Sequence, residues 1–162
     1  MEDFSQNEGF IWFDGELVDW KEANIHVLTH GLHYASSVFE GERCYEGKVF
    51  REIEHTKRLH HSANTLGFEI PYSIEEICNI RKTVLDANNI KNGYIRPVSW
   101  RGSEMMGISA QKNTIHLAIA AWEWPSYYTQ EARLKGIKLE LSKWKSPAPD
   151  TAPVSTKSAG LY

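Results

Sequence analysis

The chain has little cysteine. Cys44 and Cys78 stand alone among 162 residues, with no CxxC pair and no close Cys/His cluster, which excludes a disulfide framework and a zinc knuckle. Charge of one sign is also missing. Lys+Arg of 18 against Asp+Glu of 21 leaves a net charge of -3 with both signs scattered, so no basic stripe exists to neutralise a nucleic-acid backbone. No apolar run is long enough for a signal peptide or a membrane span, and the opening residues carry Glu2, Asp3 and Glu8 without a cation. The expectation is a cytosolic chain with no nucleic-acid and no membrane partner. No internal repeat and no low-complexity tract is present. What is there, 41% hydrophobic and 12% aromatic residues, suffices to build a core, and the length allows one domain or a small domain plus part of another.

Turn chemistry and periodicity organise the chain. Asp14-Gly15 separates two β-prone runs, Phe10 to Phe13 and Glu16 to Val18, and predicts an opening hairpin. Ser37 to Tyr45 is β-prone, and Glu46-Gly47 followed by Lys48-Val49-Phe50 predicts a second hairpin. Arg51 to Leu66 reads as a helix with Ile53, Leu59, Ala63 and Leu66 inward and Gly67 as its stop. Ser73-Ile74-Glu75-Glu76 has capping-box spacing, so a second helix should run to about Asn88, burying Ile74, Ile77, Cys78, Val84 and Leu85. Strands are expected over Gly93 to Trp100 and Thr114 to Trp122, the first an edge or irregular strand because Pro97 cannot donate to a ladder. Trp124-Pro125 and the residues after it look like a linker, Gly136 to Trp144 has a β-like alternation, and the proline-bearing tail from Lys145 to Tyr162 should be an extended loop. The fold class is therefore α/β (α+β), a sheet layered with two helices. The organisation expected is a small domain over 1–124, a linker over 125–135 and the start of a second domain over 136–162.

Several residues could carry chemistry. His30 and His33 read best as hydrogen-bonded structural side chains, since no third ligand has telling spacing. Arg58 is either a solvated cation on its helix or an anion anchor, for a guanidinium presents a planar fork matched to phosphate or carboxylate. Tyr94 and Arg96, two apart on a strand, share a face and could line a carboxylate-accepting pocket as readily as an exposed sheet surface. Lys157 is either a surface charge or, if desolvated beside a cation, an amine able to bond a carbonyl carbon.

VFEGERCY over Val38 to Tyr45, the RLHHSA helix around Arg58, YIRP over Tyr94 to Pro97, and Lys157 five residues before Tyr162 occur in a familiar order. The chain resembles the N-terminal half of a branched-chain amino-acid aminotransferase of the fold-type IV pyridoxal-phosphate enzymes, and the opening FIWFDGELVDWKEANIHVLTHGLHY is similar to the same family. The resemblance implies that Lys157 bonds pyridoxal 5'-phosphate and later shuttles the substrate proton. It also implies that Tyr162 hydrogen-bonds the cofactor's phenolate oxygen, that Arg58 grips its phosphate, and that Tyr34, Phe39, Tyr94, Arg96, Trp124 and Tyr127 line the substrate pocket. Leu, Ile or Val would give its amino group to 2-oxoglutarate, with Arg96 and Tyr34 pairing the distal carboxylate of glutamate. A homo-oligomer is implied, and the loop near Gly102 to Gly107 resembles one that reaches a neighbouring subunit's site. Within the family a D-amino-acid aminotransferase or an aminodeoxychorismate lyase would share the lysine; outside it, a non-catalytic α/β binding or oligomerisation module is the alternative. Leu161 departs from the Asn common before the tyrosine. Relatives continue into a second domain that completes the cofactor site, so these residues alone are expected to be inactive or nearly so.

Overall fold

In a computed structural model, which describes residues 3–124 and 128–162, both predicted hairpins are formed by turns with two consecutive positive φ angles. Asp14 (47°) and Gly15 (117°) join β1 (Phe10–Phe13) to β2 (Glu16–Asp19). After β3 (Ser37–Phe39), Glu46 (50°) and Gly47 (75°) join β4 (Glu42–Tyr45) to β5 (Lys48–Val49). Such turns twist in the same sense as the strands they connect, which is why glycine takes the second place in each. A short helix α1 (His30–Tyr34) precedes β3.

The sheet has the order β2-β1-β7-β6-β4-β5, where β6 is Gly93–Arg101 and β7 is Ile115–Glu123, and every pairing is antiparallel. The strand β3 also pairs with β6, beyond the end of β4. The expectation that Pro97 marks an edge is therefore corrected: β6 is central. Pro97 is opposite Ile119 of β7, and its carbonyl accepts the Glu40 amide at 2.9 Å on the other side. A residue's N and C=O point the same way across an antiparallel pair, so the missing N–H faces the break between β3 and β4, where no ladder acceptor goes unmatched.

Helices α2 (Glu52–Thr65) and α3 (Ile74–Ala87) cover one face of the sheet, with Leu59, Ala63, Ile77, Val84 and Leu85 against Val38, Cys44, Ile95, Leu117 and Ile119. The capping box forms as expected, with the Glu76 amide donating to Ser73 Oγ at 3.2 Å and the Ser73 amide to Glu76 Oε2 at 2.7 Å. The inward faces differ in part from the periodicity reading. Ile53 is exposed, and α2 buries Thr56, Leu59, Ser62 and Ala63; on α3, Ile74 and Cys78 are half-buried while Arg81 is fully buried. The buried polar groups have partners: Arg81 donates to Glu42 of β4 and to Thr56 of α2, and Ser62 accepts the Lys157 amide of the tail.

Past β7, Gln130–Lys135 forms a helix, α4, inside the segment expected to be a linker, started by the Ala132 amide donating to Thr129 Oγ1. The strand expected over 136–144 does not form. Ile137, Leu139 and Leu141 are exposed, and among the described residues no strand is beside them to share a ladder. The tail is a non-helical loop, as expected, but it is folded by turns that close on the Ala148, Ala152 and Pro153 carbonyls; Ser158 then forms an antiparallel bridge with Val38, followed by a 3-10 turn at Ala159–Leu161.

Candidate active site

The tail returns to the sheet because its backbone finds partners there. The Phe39 amide donates to the Lys157 carbonyl at 3.1 Å, and the Lys157 amide donates to Ser62 Oγ at 2.9 Å. Thr156 and Ser158, on either side, are buried, and Thr156 Oγ1 donates to the Pro153 carbonyl at 2.7 Å. Lys157 is thus fixed at its backbone between β3 and α2.

Its side chain is half-buried and runs along the aromatic edge of this junction. Nζ is 4.5 Å from the centroid of Phe39 and 4.5 Å from that of Tyr162, and donates to the Tyr162 hydroxyl at 3.1 Å. Among the described residues no carboxylate pairs with it. Two ring faces attract the ammonium without neutralising it.

Arg58 extends from α2 one turn before Ser62, on the same side of the helix. Glu40, wholly buried, receives it as a fork, Nε to Oε1 at 2.6 Å and Nη2 to Oε2 at 2.7 Å, while His55 Nδ1 donates to Oε2 at 2.8 Å. Burial alone would raise the Glu40 carboxyl, but these hydrogen bonds and charges hold it below its ordinary value. The hydrogen bonds that Arg58 donates to Glu40 hold it above its already high value, against burial, and the charge of Glu40 adds to them. With the inner edge of the guanidinium fixed, the Nη1 donors remain on a side chain that is half exposed.

On the face of the sheet away from the helices, Arg96 is held between rings, its Cζ 4.6 Å from the Phe39 centroid and 5.3 Å from that of Tyr94. Nη2 donates to the Tyr94 hydroxyl at 2.9 Å, and Nε is buried without a partner. Trp122 and Trp124 pack on Tyr94, each with ring centroids 5.2 Å away, and extend the aromatic wall. Beside Arg96 is an apolar groove of about 360 Å³, lined by Ile11, Phe13, Val98, Trp100 and Ala118 among others. A larger hollow of about 860 Å³, between the β4–β5 hairpin and α3, is lined by charges of both signs and by none of these residues.

The structure therefore brings Lys157, Tyr162, Phe39 and Arg58 to one junction and Tyr94, Arg96 and Trp124 to the neighbouring face. Tyr34 is not with them. Its hydroxyl donates to the Met106 carbonyl at 3.2 Å and its ring stacks on His30. Tyr127 lies outside the described residues. His30 and His33 are hydrogen-bonded structural groups, to Ser36 Oγ and the Gly107 carbonyl and to the Val27 carbonyl respectively. Among the described residues, no group of His, Cys, Asp and Glu could hold a metal ion, and no helix is long and apolar enough to cross a membrane. Sequence reasoning missed Glu40 and Ser62. The spacing of Ser62 four residues after Arg58 was the available signal for one, and a glutamate alternating with Val38 and Cys44 on a buried face was the signal for the other.

Known proteins resemble the chain over most of its length. A family model described as amino-transferase class IV matches residues 37–160. A probable branched-chain-amino-acid aminotransferase of Rickettsia conorii is 47% identical over 152 residues, 94% of this chain and 51% of that protein. Two solved structures of the branched-chain amino acid aminotransferase from T.th. superpose closely. One, with pyridoxamine 5'-phosphate, has a TM-score of 0.90 at 39% identity, covering 96% of this chain and 52% of that one. The other, complexed with N-(5'-phosphopyridoxyl)-L-glutamate, has a TM-score of 0.87 at 38% identity, covering 96% and 51%. The chain spans about half the length of the curated relatives it matches.

Proposed function

The chain belongs to the class IV aminotransferases, and from that membership we propose that its protein transfers the amino group of leucine, isoleucine or valine to 2-oxoglutarate, using pyridoxal 5'-phosphate. The junction of β3, α2 and the tail fits that cofactor. Among the described residues, it presents an amine with no carboxylate partner, a phenol beside it, and a guanidinium whose outer donors are uncommitted. Pyridoxal phosphate, when bound, supplies an aldehyde carbon for an amine and a conjugated ring that accepts the electron pair left when the substrate α-carbon loses its proton.

Lys157 would hold the cofactor through Nζ and, once the substrate amine has displaced it, would use the same Nζ to take the proton from the substrate α-carbon. Backbone anchoring to Phe39 and Ser62 keeps Nζ in range for both tasks. Tyr162 holds the phenolic oxygen through its hydroxyl, and Arg58 directs its free donors to the phosphate. Phe39, Tyr94 and Trp124 wall the substrate, Arg96 pairs with the distal carboxylate of glutamate, and the apolar groove suits an aliphatic side chain. The relative that holds a phosphopyridoxyl-glutamate supports the same pair of ligands here. Tyr34, tied to the loop that carries Met106, we assign with that loop to the pocket of a neighbouring subunit in a cytoplasmic homo-oligomer.

The observation that carries this reading is the convergence of Lys157 Nζ, the Tyr162 hydroxyl and Arg58 at one edge of β3. It is tested by mixing the full-length protein with pyridoxal phosphate, scanning for a new absorption band, and assaying leucine with 2-oxoglutarate. The band and the activity are expected to disappear in Lys157→Ala. A band that persists unchanged without the lysine refutes the assignment.

A further inference from the structure

Three consecutive residues, Val38, Phe39 and Glu40, meet the tail and α2 at once. Val38 bridges Ser158, Phe39 receives the Lys157 carbonyl and offers its ring to Nζ, and Glu40 takes the inner edge of Arg58. The amine and the phosphate-facing guanidinium are therefore spaced by one short piece of backbone.

Arg58 is a long side chain, half exposed, with several rotatable bonds. Left to itself it would sample many rotamers, and ordering it on a ligand would weaken binding accordingly. Glu40 removes that freedom beforehand. It is wholly buried, its own backbone amide is fixed to the Pro97 carbonyl at 2.9 Å, and His55 occupies part of its second oxygen. Both carboxylate oxygens bind the guanidinium in a parallel pair, the arrangement that fixes the plane as well as the place of an arginine.

We propose that Glu40 is a positioning residue for the cofactor: by clamping Nε and Nη2 it presents the remaining donors of Arg58 to the phosphate at a set distance from Lys157. This rests on the reading of Arg58 as the phosphate anchor. Glu40 itself need touch neither cofactor nor substrate, and its carboxylate next to a phosphate would repel were it not already covered by the guanidinium and the imidazole.

The test separates the phosphate from the rest of the cofactor. The full-length protein, Glu40→Gln, Arg58→Ala and the double variant are each titrated with pyridoxal phosphate and with pyridoxal, which lacks the phosphate, following absorbance. Freeing one arginine side chain should weaken pyridoxal phosphate binding by roughly 10-fold and leave pyridoxal binding unchanged. The Gln substitution should add nothing in a chain that already carries Arg58→Ala. Equal or tighter pyridoxal phosphate binding by Glu40→Gln overturns the proposal, as does an equal loss for both compounds or a full additive loss in the double variant. Should Glu40→Gln not fold, Glu40→Asp retains the charge but withdraws it by one methylene, and the same comparison applies. If Arg58→Ala keeps the preference for pyridoxal phosphate over pyridoxal, the anchor reading itself fails, which is a different result from failure of the clamp.

Discussion

Replacing Arg81 by methionine would leave the Glu42 carboxylate buried with no cation to face. Arg81 on α3 and Glu42 on β4 are both shut off from solvent, joined by Nη2 to Oε1 at 2.7 Å, with Nη1 donating to Thr56 Oγ1 at 2.6 Å. Glu42 Oε2 and Arg81 Nε have no partner, so the pair is incompletely satisfied even in the native state. Burial pushes the Glu42 carboxyl from its ordinary 4.5 up to about 7, against the attraction of Arg81. Because the folded value lies above the unfolded one, this group's contribution is fully present below about pH 4.5 and is lost as pH rises through about 7. The loss is on the order of 3 kcal/mol. Breaking a buried pair by removing one partner destabilises by about 3–5 kcal/mol, a large part of the roughly 5–15 kcal/mol available to a domain. Without Arg81 the carboxyl shifts further up, so the damage should be full at pH 8 and much smaller at pH 5, where Glu42 is neutral. Urea unfolding of Arg81→Met at the two pH values measures this through the midpoint at constant slope. Adding Glu42→Leu should restore most of the loss at pH 8. A loss under about 1 kcal/mol at pH 8, or the same loss at both, would refute the argument that an uncompensated charge is responsible.

The acid side of the same profile belongs to Glu40, whose folded value lies below its ordinary one; its contribution is present above about pH 4.5 and lost as pH falls, so Glu40→Gln should flatten the acid limb of a Tm-against-pH curve and leave the fall toward pH 7 in place. An unchanged acid limb would assign acid unfolding to other carboxylates. At Gly41 an added Cβ would overlap the Tyr94 hydroxyl, which accepts from Arg96. Gly41→Ala should therefore raise KM for 2-oxoglutarate by about 10-fold, the loss of one charge-assisted hydrogen bond, with little change for leucine; equal changes for both substrates would dissociate Tyr94 from recognition of the distal carboxylate.

Local signals carried much of the fold. Both hairpins lie where Asp14-Gly15 and Glu46-Gly47 put them, and α3 starts at its capping box, because these devices are complete within a few residues. Pro97 misled for the opposite reason. Whether a strand tolerates a missing N–H depends on what faces that N–H, and here the answer is a break between β3 and β4 more than fifty residues earlier in the chain. The alternation over Gly136 to Trp144 failed likewise, since a period of two describes a strand's faces but not its neighbours, and among the described residues none flanks it.

The same distinction separates the site residues that could be read from those that could not. Lys157, Arg58, Tyr162 and Arg96 became candidates through the ordered motifs of the family resemblance, each open to a plain surface reading by itself, whereas Glu40 and Ser62 have partners that only folding brings near. Yet a trace of them is legible. Val38, Glu40, Glu42 and Cys44 alternate along one stretch, and all four are buried, so two carboxylates lie on what is otherwise an apolar face. A buried carboxylate requires a donor or a cation, and α2 and α3 supply one arginine each, Arg58 and Arg81. The two pairs also differ in the exposure of the arginine. Arg81 has no solvent-facing edge and can only hold the helix to the sheet, while Arg58 is half exposed and keeps donors for something outside the chain. A buried carboxylate thus meets an enclosed cation at Glu42 and a cation that still reaches the surface at Glu40, and only the second leaves donors for the phosphate contact proposed above.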